Sequence, residues 1–303
     1  HKEYRRQRQM CIRDSYKITG NNGELRLEVN GKEVSVAKDC VHRKGFLALE
    51  SEGSECHFKN IFFKELPSTQ CPDSETADPR EGFVSLFDGM TFAGWKVPEG
   101  DNGHWKARDG IIDYDAASEA PGDKHLWTEK EYSNYTLVVD WRIKKAPFLN
   151  PNTRQILPDG SEAKDASGNL IGIPLQDADS GILLNGSEKH QVNIWCWPIG
   201  SGEMYGVRRD AKMPPEVRAG TTPILKADKP VGEWNRFEIT VLKGKVTVLL
   251  NGKVVLPGVE IPGFPTKGRI GFQHHGAMKD GQWTSSPSLM QFRNIFIREL
   301  NPE

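Results

Sequence analysis

Two Asn-Gly pairs, Asn30-Gly31 and Asn251-Gly252, each sit between runs of β-forming residues. This arrangement specifies a tight hairpin, because a type I′ turn needs positive φ at both central residues and these residue types tolerate it best. Antiparallel β structure is therefore expected at both places. The flanks repeat too: Leu25-Arg26-Leu27-Glu28-Val29-Asn30-Gly31-Lys32-Glu33-Val34 parallels Val246-Thr247-Val248-Leu249-Leu250-Asn251-Gly252-Lys253-Val254-Val255. Likewise His57-Phe58-Lys59-Asn60-Ile61-Phe62-Phe63-Lys64-Glu65-Leu66 parallels Gln291-Phe292-Arg293-Asn294-Ile295-Phe296-Ile297-Arg298-Glu299-Leu300. The Asn-Gly pairs are 221 residues apart (251 − 30) and the Asn-Ile pairs 234 (294 − 60), so the later copy has gained 13 residues between them. Residues 1–66 thus read as the C-terminal fragment of a preceding domain of the same kind as the one that follows. Such a fragment leaves an apolar face and strand edges uncovered. It is expected to be disordered, packed on the complete domain, or paired with another chain, a homo-oligomer included.

Residues 1–15 fit neither copy and read as a terminal artefact of the kind found in assembled metagenomic sequence, the competing reading being a basic nucleic-acid arm. Residues 67–80, polar, proline-bearing and without periodicity, form a linker. The complete domain spans 81–303. There, short β runs alternate with Gly, Pro and Asp turns, and no long amphipathic helix is seen. In Tyr135–Ile143, Leu137, Val139, Trp141 and Ile143 share a face, with Asp140 and Arg142 opposite. Many such strands in one domain predict an all-β, two-sheet jelly-roll sandwich. Two irregular stretches, 146–178 and 198–232, are expected to form functional rims, with one helical turn at Pro214–Ala219.

Composition narrows the function classes. The net charge of −1 provides no basic field for nucleic acid. No apolar run approaches the roughly 18 residues a membrane span needs, which predicts a soluble protein. The cysteines, Cys11, Cys40, Cys56, Cys71 and Cys196, are too few for a disulfide scaffold and show no C-x-x-C spacing, so they read as isolated small hydrophobes.

The stretch His190–Trp197 carries the chemistry-bearing face. Val192 and Ile194 point one way and Gln191, Asn193 and Trp195 the other, a polar and aromatic floor suited to a sugar, with a plain solvated strand face as the competing reading. Two amides cannot exchange protons, so the paired carboxylates of an ordinary glycosidase are missing from this strand.

Several landmarks occur in a specific order: Leu86-Phe87-Asp88-Gly89, Gly94-Trp95, Asp140-Trp141-Arg142, Asp179-Ser180-Gly181-Ile182, Gln191-Val192-Asn193-Ile194, Gly232-Glu233-Trp234-Asn235, Leu250-Asn251-Gly252-Lys253, Gln273-His274-His275-Gly276 and Phe292-Arg293-Asn294-Ile295. Together, over residues 82–300, they resemble the 3-keto-disaccharide hydrolase domain family. The resemblance implies a concanavalin A-like sandwich of the lectin and glucanase type, in a secreted or periplasmic bacterial protein that cleaves 3-keto-glycosides. A non-catalytic carbohydrate-binding module attached to other enzymes is the alternative.

A 3-keto sugar changes what a site must supply. The ketone acidifies the C2 hydrogen, so one base and an oxyanion stabiliser can drive elimination of the C1 substituent, followed by hydration. His275 is the first candidate for the base, with Glu203, between flexible glycines, as the alternate acid or base. The fragment reads Leu49-Glu50-Ser51-Glu52-Gly53 in place of the His pair, so the fold does not require that pair. Gln191, Asn193, Gln273, Arg142, Asp179 and Arg208 are expected to hold the sugar, with Trp195 stacking on the ring. Asp140 is a further catalytic candidate, an ion pair with Arg142 its bland reading. No motif demands a cofactor; a divalent metal shared by Asp140, Glu203 and His275 is the remaining option.

Overall fold

The computed structural model describes residues 13–40, 47–51, 53, 55–64, 66 and 82–301. The linker at 67–80 and the terminal segment 1–12 lie outside the described residues. The chain divides into two compact units, His1–Cys71 and Asp78–Glu303 in the main. The first unit contains a three-stranded antiparallel sheet of β1 (Tyr16–Asn21), β2 (Glu24–Val29) and β3 (Lys32–Ala37). Its Asn30-Gly31 turn has φ of 51° and 78°, the left-handed values that selected those residues.

The second unit runs through β4 (Val84–Ser85), β5 (Trp95–Lys96), β6 (Trp105–Arg108), β7 (Ile111–Tyr114), β8 (Leu126–Tyr132) and β9 (Tyr135–Ile143). It continues with β10 (Phe148–Asn150), β11 (Leu175–Asp177), β12 (Asp179–Leu184), β13 (Ser187–Trp195), α1 (Tyr205–Arg208) and α2 (Pro215–Gly220). It closes with β14 (Asn235–Leu242), β15 (Lys245–Leu250), β16 (Lys253–Glu260), β17 (Gly268–Phe272), β18 (Met278–Lys279), β19 (Gln282–Trp283) and β20 (Met290–Glu299).

Two sheets face each other, as the period-two pattern predicts. A five-stranded sheet has the order β13-β12-β17-β8-β5, and an eight-stranded one the order β16-β15-β14-β9-β20-β7-β6 with β4 on β20. Leu137, Val139, Trp141 and Ile143 of β9 turn inward and are buried. They meet Ile182, Val192, Ile194, Ile270 and Phe272 of the smaller sheet in one apolar cluster. The Phe272 and Phe292 rings stack across the interface, 4.1 Å between centroids. Among the described residues no helix is long and apolar enough to cross a membrane.

Both long stretches are more ordered than the sequence suggested. In 146–178, β10 pairs with β11, and isolated bridges join Arg154 to Gly172, Ile156 to Glu162 and Lys164 to Leu170. The Asp159-Gly160 and Ser167-Gly168 pairs make the turns, with Gly160 and Gly168 at φ 79° and 85°. The second stretch carries α1 and α2, the latter starting at Pro215, where a missing N–H costs nothing. It extends the smaller sheet's edge, since Asn193 N–H donates to Glu203 O at 2.9 Å and Gly202 N–H to Asn193 O at 2.8 Å.

Because Phe272 and Phe292 join the two layers at full burial, Phe272→Ala should lower the unfolding free energy by about 3–5 kcal/mol, read from a denaturant midpoint.

Candidate active site

Strand register decides which side chains share a face. In the smaller sheet Asp179 pairs with Trp195, Gly181 with Asn193 and Leu183 with Gln191 across β12 and β13. Leu183 also pairs with Gly271, and Gly271 with Trp127, across β17 and β8. Opposed residues point the same way. Asp179, Gln191, Asn193, Gln273 and Trp127 therefore belong to the face turned away from the core; His275, past the end of β17, is tied to Asp179 through Ser288, whose Oγ accepts from His275 N–H and donates to Asp179 O.

Two glycines let large side chains lie down on this face. A Cβ at Gly181 would collide with Gln191 Nε2, and one at Gly271 would stand 2.6 Å from Trp127 Cε3. Gln191 Nε2 donates to Ser180 O at 3.0 Å and to Gln273 Oε1 at 2.6 Å. That pairing leaves an acceptor on Gln191 and a donor on Gln273 uncommitted to one another.

His275 is held at its backbone and at one ring nitrogen. Its N–H donates to Ser288 Oγ at 2.6 Å, and its Nδ1 lies 2.6 Å from Ser286 O. A carbonyl can only accept, so Nδ1 carries a proton, and in the neutral ring the lone pair is on Nε2. Beside it, burial pushes the Asp179 carboxyl up to about 7, with the His275 charge opposing the rise and Asp177 adding to it. Asp177 is fully committed: its Oδ2 accepts from Asn150 Nδ2 and Ser286 Oγ, both at 2.8 Å, and from Trp197 Nε1 at 3.2 Å, while Oδ1 accepts from Cys196 N–H at 3.2 Å. Asp179 is thus the carboxyl poised to exchange a proton near neutrality. The adjacent His274 turns the other way, to Tyr114 Oη at 2.7 Å, and desolvation lowers it to about 4.

The structure places four other predicted residues elsewhere. Asp140 and Arg142 lie on the outer face of the eight-stranded sheet, with the core between them and His275. There Asp140 accepts from Arg236 Nε at 2.6 Å and Asn294 Nδ2 at 2.6 Å. Arg142 donates to Gln291 Oε1 at 2.6 Å and packs over the Trp234 ring. Glu203 is fully buried in an ion pair with Arg208, so the neighbouring glycines do not free it to swing. Arg208 itself is 1% exposed and is spent on Glu203, Gly160 O and Glu162, tying the two long segments together. Asp140, Glu203 and His275 consequently do not converge. Among the described residues no group of three or more His, Cys, Asp and Glu is placed to hold a metal ion.

Trp195 is 3% exposed, stacked on Trp197 at 4.2 Å with its Nε1 donating to Gly200 O at 2.7 Å, so the sugar-stacking surface expected of it is covered. Asn193 is also buried, and its Oδ1 has no hydrogen-bond partner. Trp127 is a half-buried aromatic on the face, fixed by Nε1 donating to Asp123 Oδ2 at 2.6 Å. Next to it, His125 Nε2 lies 3.3 Å from Glu188 Oε1. Sequence reasoning missed Trp127, His125 and Glu188; the glycines at 181 and 271, alternating with core residues, were the available signal. Cavities of about 280 Å³, lined by Gly160, Glu162, Arg208, Arg209 and Arg218 among others, and about 300 Å³, lined by Trp141, Trp195, Lys226 and Asp228 among others, include neither Asp179 nor His275.

Residues 82–298 match the family described as the 3-keto-alpha-glucoside-1,2-lyase-like domain. The chain belongs to this family. Its function is accordingly carbohydrate-hydrolase-like. A curated relative, the 3-keto-disaccharide hydrolase of Bacteroides thetaiotaomicron, is 23% identical over 228 residues, covering 73% of this chain and 73% of the relative. Two crystal structures of Parabacteroides distasonis ATCC 8503 proteins assigned as glycosyl hydrolases are similar at 21% and 19% identity. They cover 73% and 80% of this chain and 95% of each of theirs, with TM-scores of 0.45 and 0.43.

Two outcomes are expected for this lyase-like domain. Glu203→Gln removes one of the two carboxylates paired with the buried Arg208 guanidinium, leaving Glu162, and should cost up to about 3–5 kcal/mol of stability, measured by denaturant unfolding. The Asp179 carboxyl is raised above its ordinary value in the folded state, so it contributes stability at low pH that is lost as pH rises through about 7. Asp179→Asn, which cannot ionise, should melt above the wild type at pH 8 and show no such advantage at pH 4.

Proposed function

We propose that the domain cleaves 3-keto-glycosides by elimination and hydration on the outer face of the five-stranded sheet. His275 Nε2 removes the proton from C2, next to the ketone, and charge develops on the ketone oxygen. The electron pair of the C2–H bond then forms the C1–C2 double bond, and the C1–O1 bond breaks. Asp179, as the neutral acid, protonates the departing oxygen. Water adds back at C1 and a proton returns to C2, giving net hydrolysis. The observation that carries this reading is a carboxyl at about 7 beside a histidine whose Nδ1 proton is fixed by Ser286 O. Gln273 and Gln191 supply amides for the hydroxyls and the developing oxyanion, and Trp127 offers a ring face to the sugar.

The test is incubation of a 3-keto-disaccharide, and of its unoxidised parent, in D2O. Wild-type protein should release the 3-keto monosaccharide with deuterium at C2 and leave the parent intact. His275→Ala should lose both release and exchange by about 10²–10⁴-fold. Asp179→Asn should lose release while C2 exchange persists, because the enolate still forms without an acid for its leaving group. Release that survives both substitutions removes this pair from the reaction, and binding without turnover by the wild type favours a carbohydrate-binding module.

The acid form of Asp179 is depleted as pH rises through about 7. Wild-type kcat should fall across that range, and the fall should be absent from the residual activity of Asp179→Asn.

A further inference from the structure

The three strands of the first unit reproduce β14, β15 and β16 pair by pair. Tyr16 faces Val29 as Phe237 faces Leu250, and Val29 faces Lys32 as Leu250 faces Lys253. Even an irregularity is shared: the β2–β3 register shifts between Leu27 and Glu28, and the β15–β16 register shifts at the equivalent Val248 and Leu249. Asn60 and its counterpart Asn294 have φ of 52° and 50°.

What differs is the cover. Tyr16, Ile18, Leu25 and Val34 are 65%, 68%, 47% and 54% exposed, whereas Phe237, Ile239, Val246 and Val255 are 0% exposed. Further along, Phe58, Ile61, Phe62 and Phe63 are 52–89% exposed where Phe292, Ile295, Phe296 and Ile297 are 0–7% exposed. In the complete domain β14 meets β9 along its other edge, Phe237 opposite Val139 and Ile239 opposite Leu137. The corresponding edge of β1 pairs with no strand among the described residues. A sequence that keeps core apolar residues, turn residues and a bulge, yet leaves that face in water, encodes half of a sandwich.

We propose that the first unit is the C-terminal part of a second sandwich of this family. Its β1 edge and apolar face take the complementary strands of such a sandwich, the strand on β1 having the Tyr135–Ile143 pattern and pairing as β9 pairs with β14.

The test uses the full 303-residue chain and a synthetic peptide of the Tyr135–Ile143 sequence with a solubilising lysine tail, read by amide hydrogen exchange. The peptide should slow exchange of the Tyr16–Asn21 amides by tenfold or more and leave β14 unchanged. A scrambled peptide should do nothing. Ile18→Asp should abolish the slowing without altering exchange in residues 82–301. The proposal fails if the native-order peptide gives no slowing, if the scrambled one slows exchange equally, or if β1 is already as protected as β14 in the chain alone.

Discussion

The constraint on which the rest depends is that each sheet must bury one face completely against the other. Phe272 of the smaller sheet, stacked on Phe292 of the larger one, marks that burial. Once Ile182, Val192, Ile194, Ile270 and Phe272 are committed inward, the pleat forces their sequence neighbours outward. Asp179, Gln191, Asn193 and Gln273 are placed together by this consequence alone. The site is the reverse side of the core.

Local chemistry then separates the roles of groups that look alike in sequence. Asp177 and Asp179 lie two residues apart, yet Asp177 accepts hydrogen bonds from four neighbours and Asp179 is left desolvated beside His275. The first ties loops together through its hydrogen bonds, and burial raises the second to about 7. Adjacent His274 and His275 diverge in the same way, one aimed at Tyr114 under the sheet and one held by Ser286 and Ser288 above it.

The first unit shows the same constraint unmet. Its hairpins form because Asn-Gly turns and β propensity are local properties. Its apolar residues Tyr16, Ile18 and Leu25 are exposed, because turn chemistry and β propensity alone supply no second layer.

Much of the fold was legible from alternation: the inward set of β9, the hairpins at both Asn-Gly pairs, the helical turn at Pro215 and the two-layer architecture all follow from period and turn chemistry. Gln191 and Gln273, both named from the sequence, meet through a hydrogen bond. The sequence could not show that Trp195 is capped by Trp197, that Arg208 consumes Glu203, or that Asp140 faces the opposite side of the sandwich, because each depends on contacts between segments far apart along the chain. Trp127 was invisible for a related reason: it matters only because Gly271, on a neighbouring strand, leaves room for its ring. By itself the sequence determined which residues alternate and where the chain turns, since those are governed by backbone sterics within a few residues. Which strand lies beside which, and therefore which polar groups are buried, paired or left to titrate, was decided only when the two faces closed on one another.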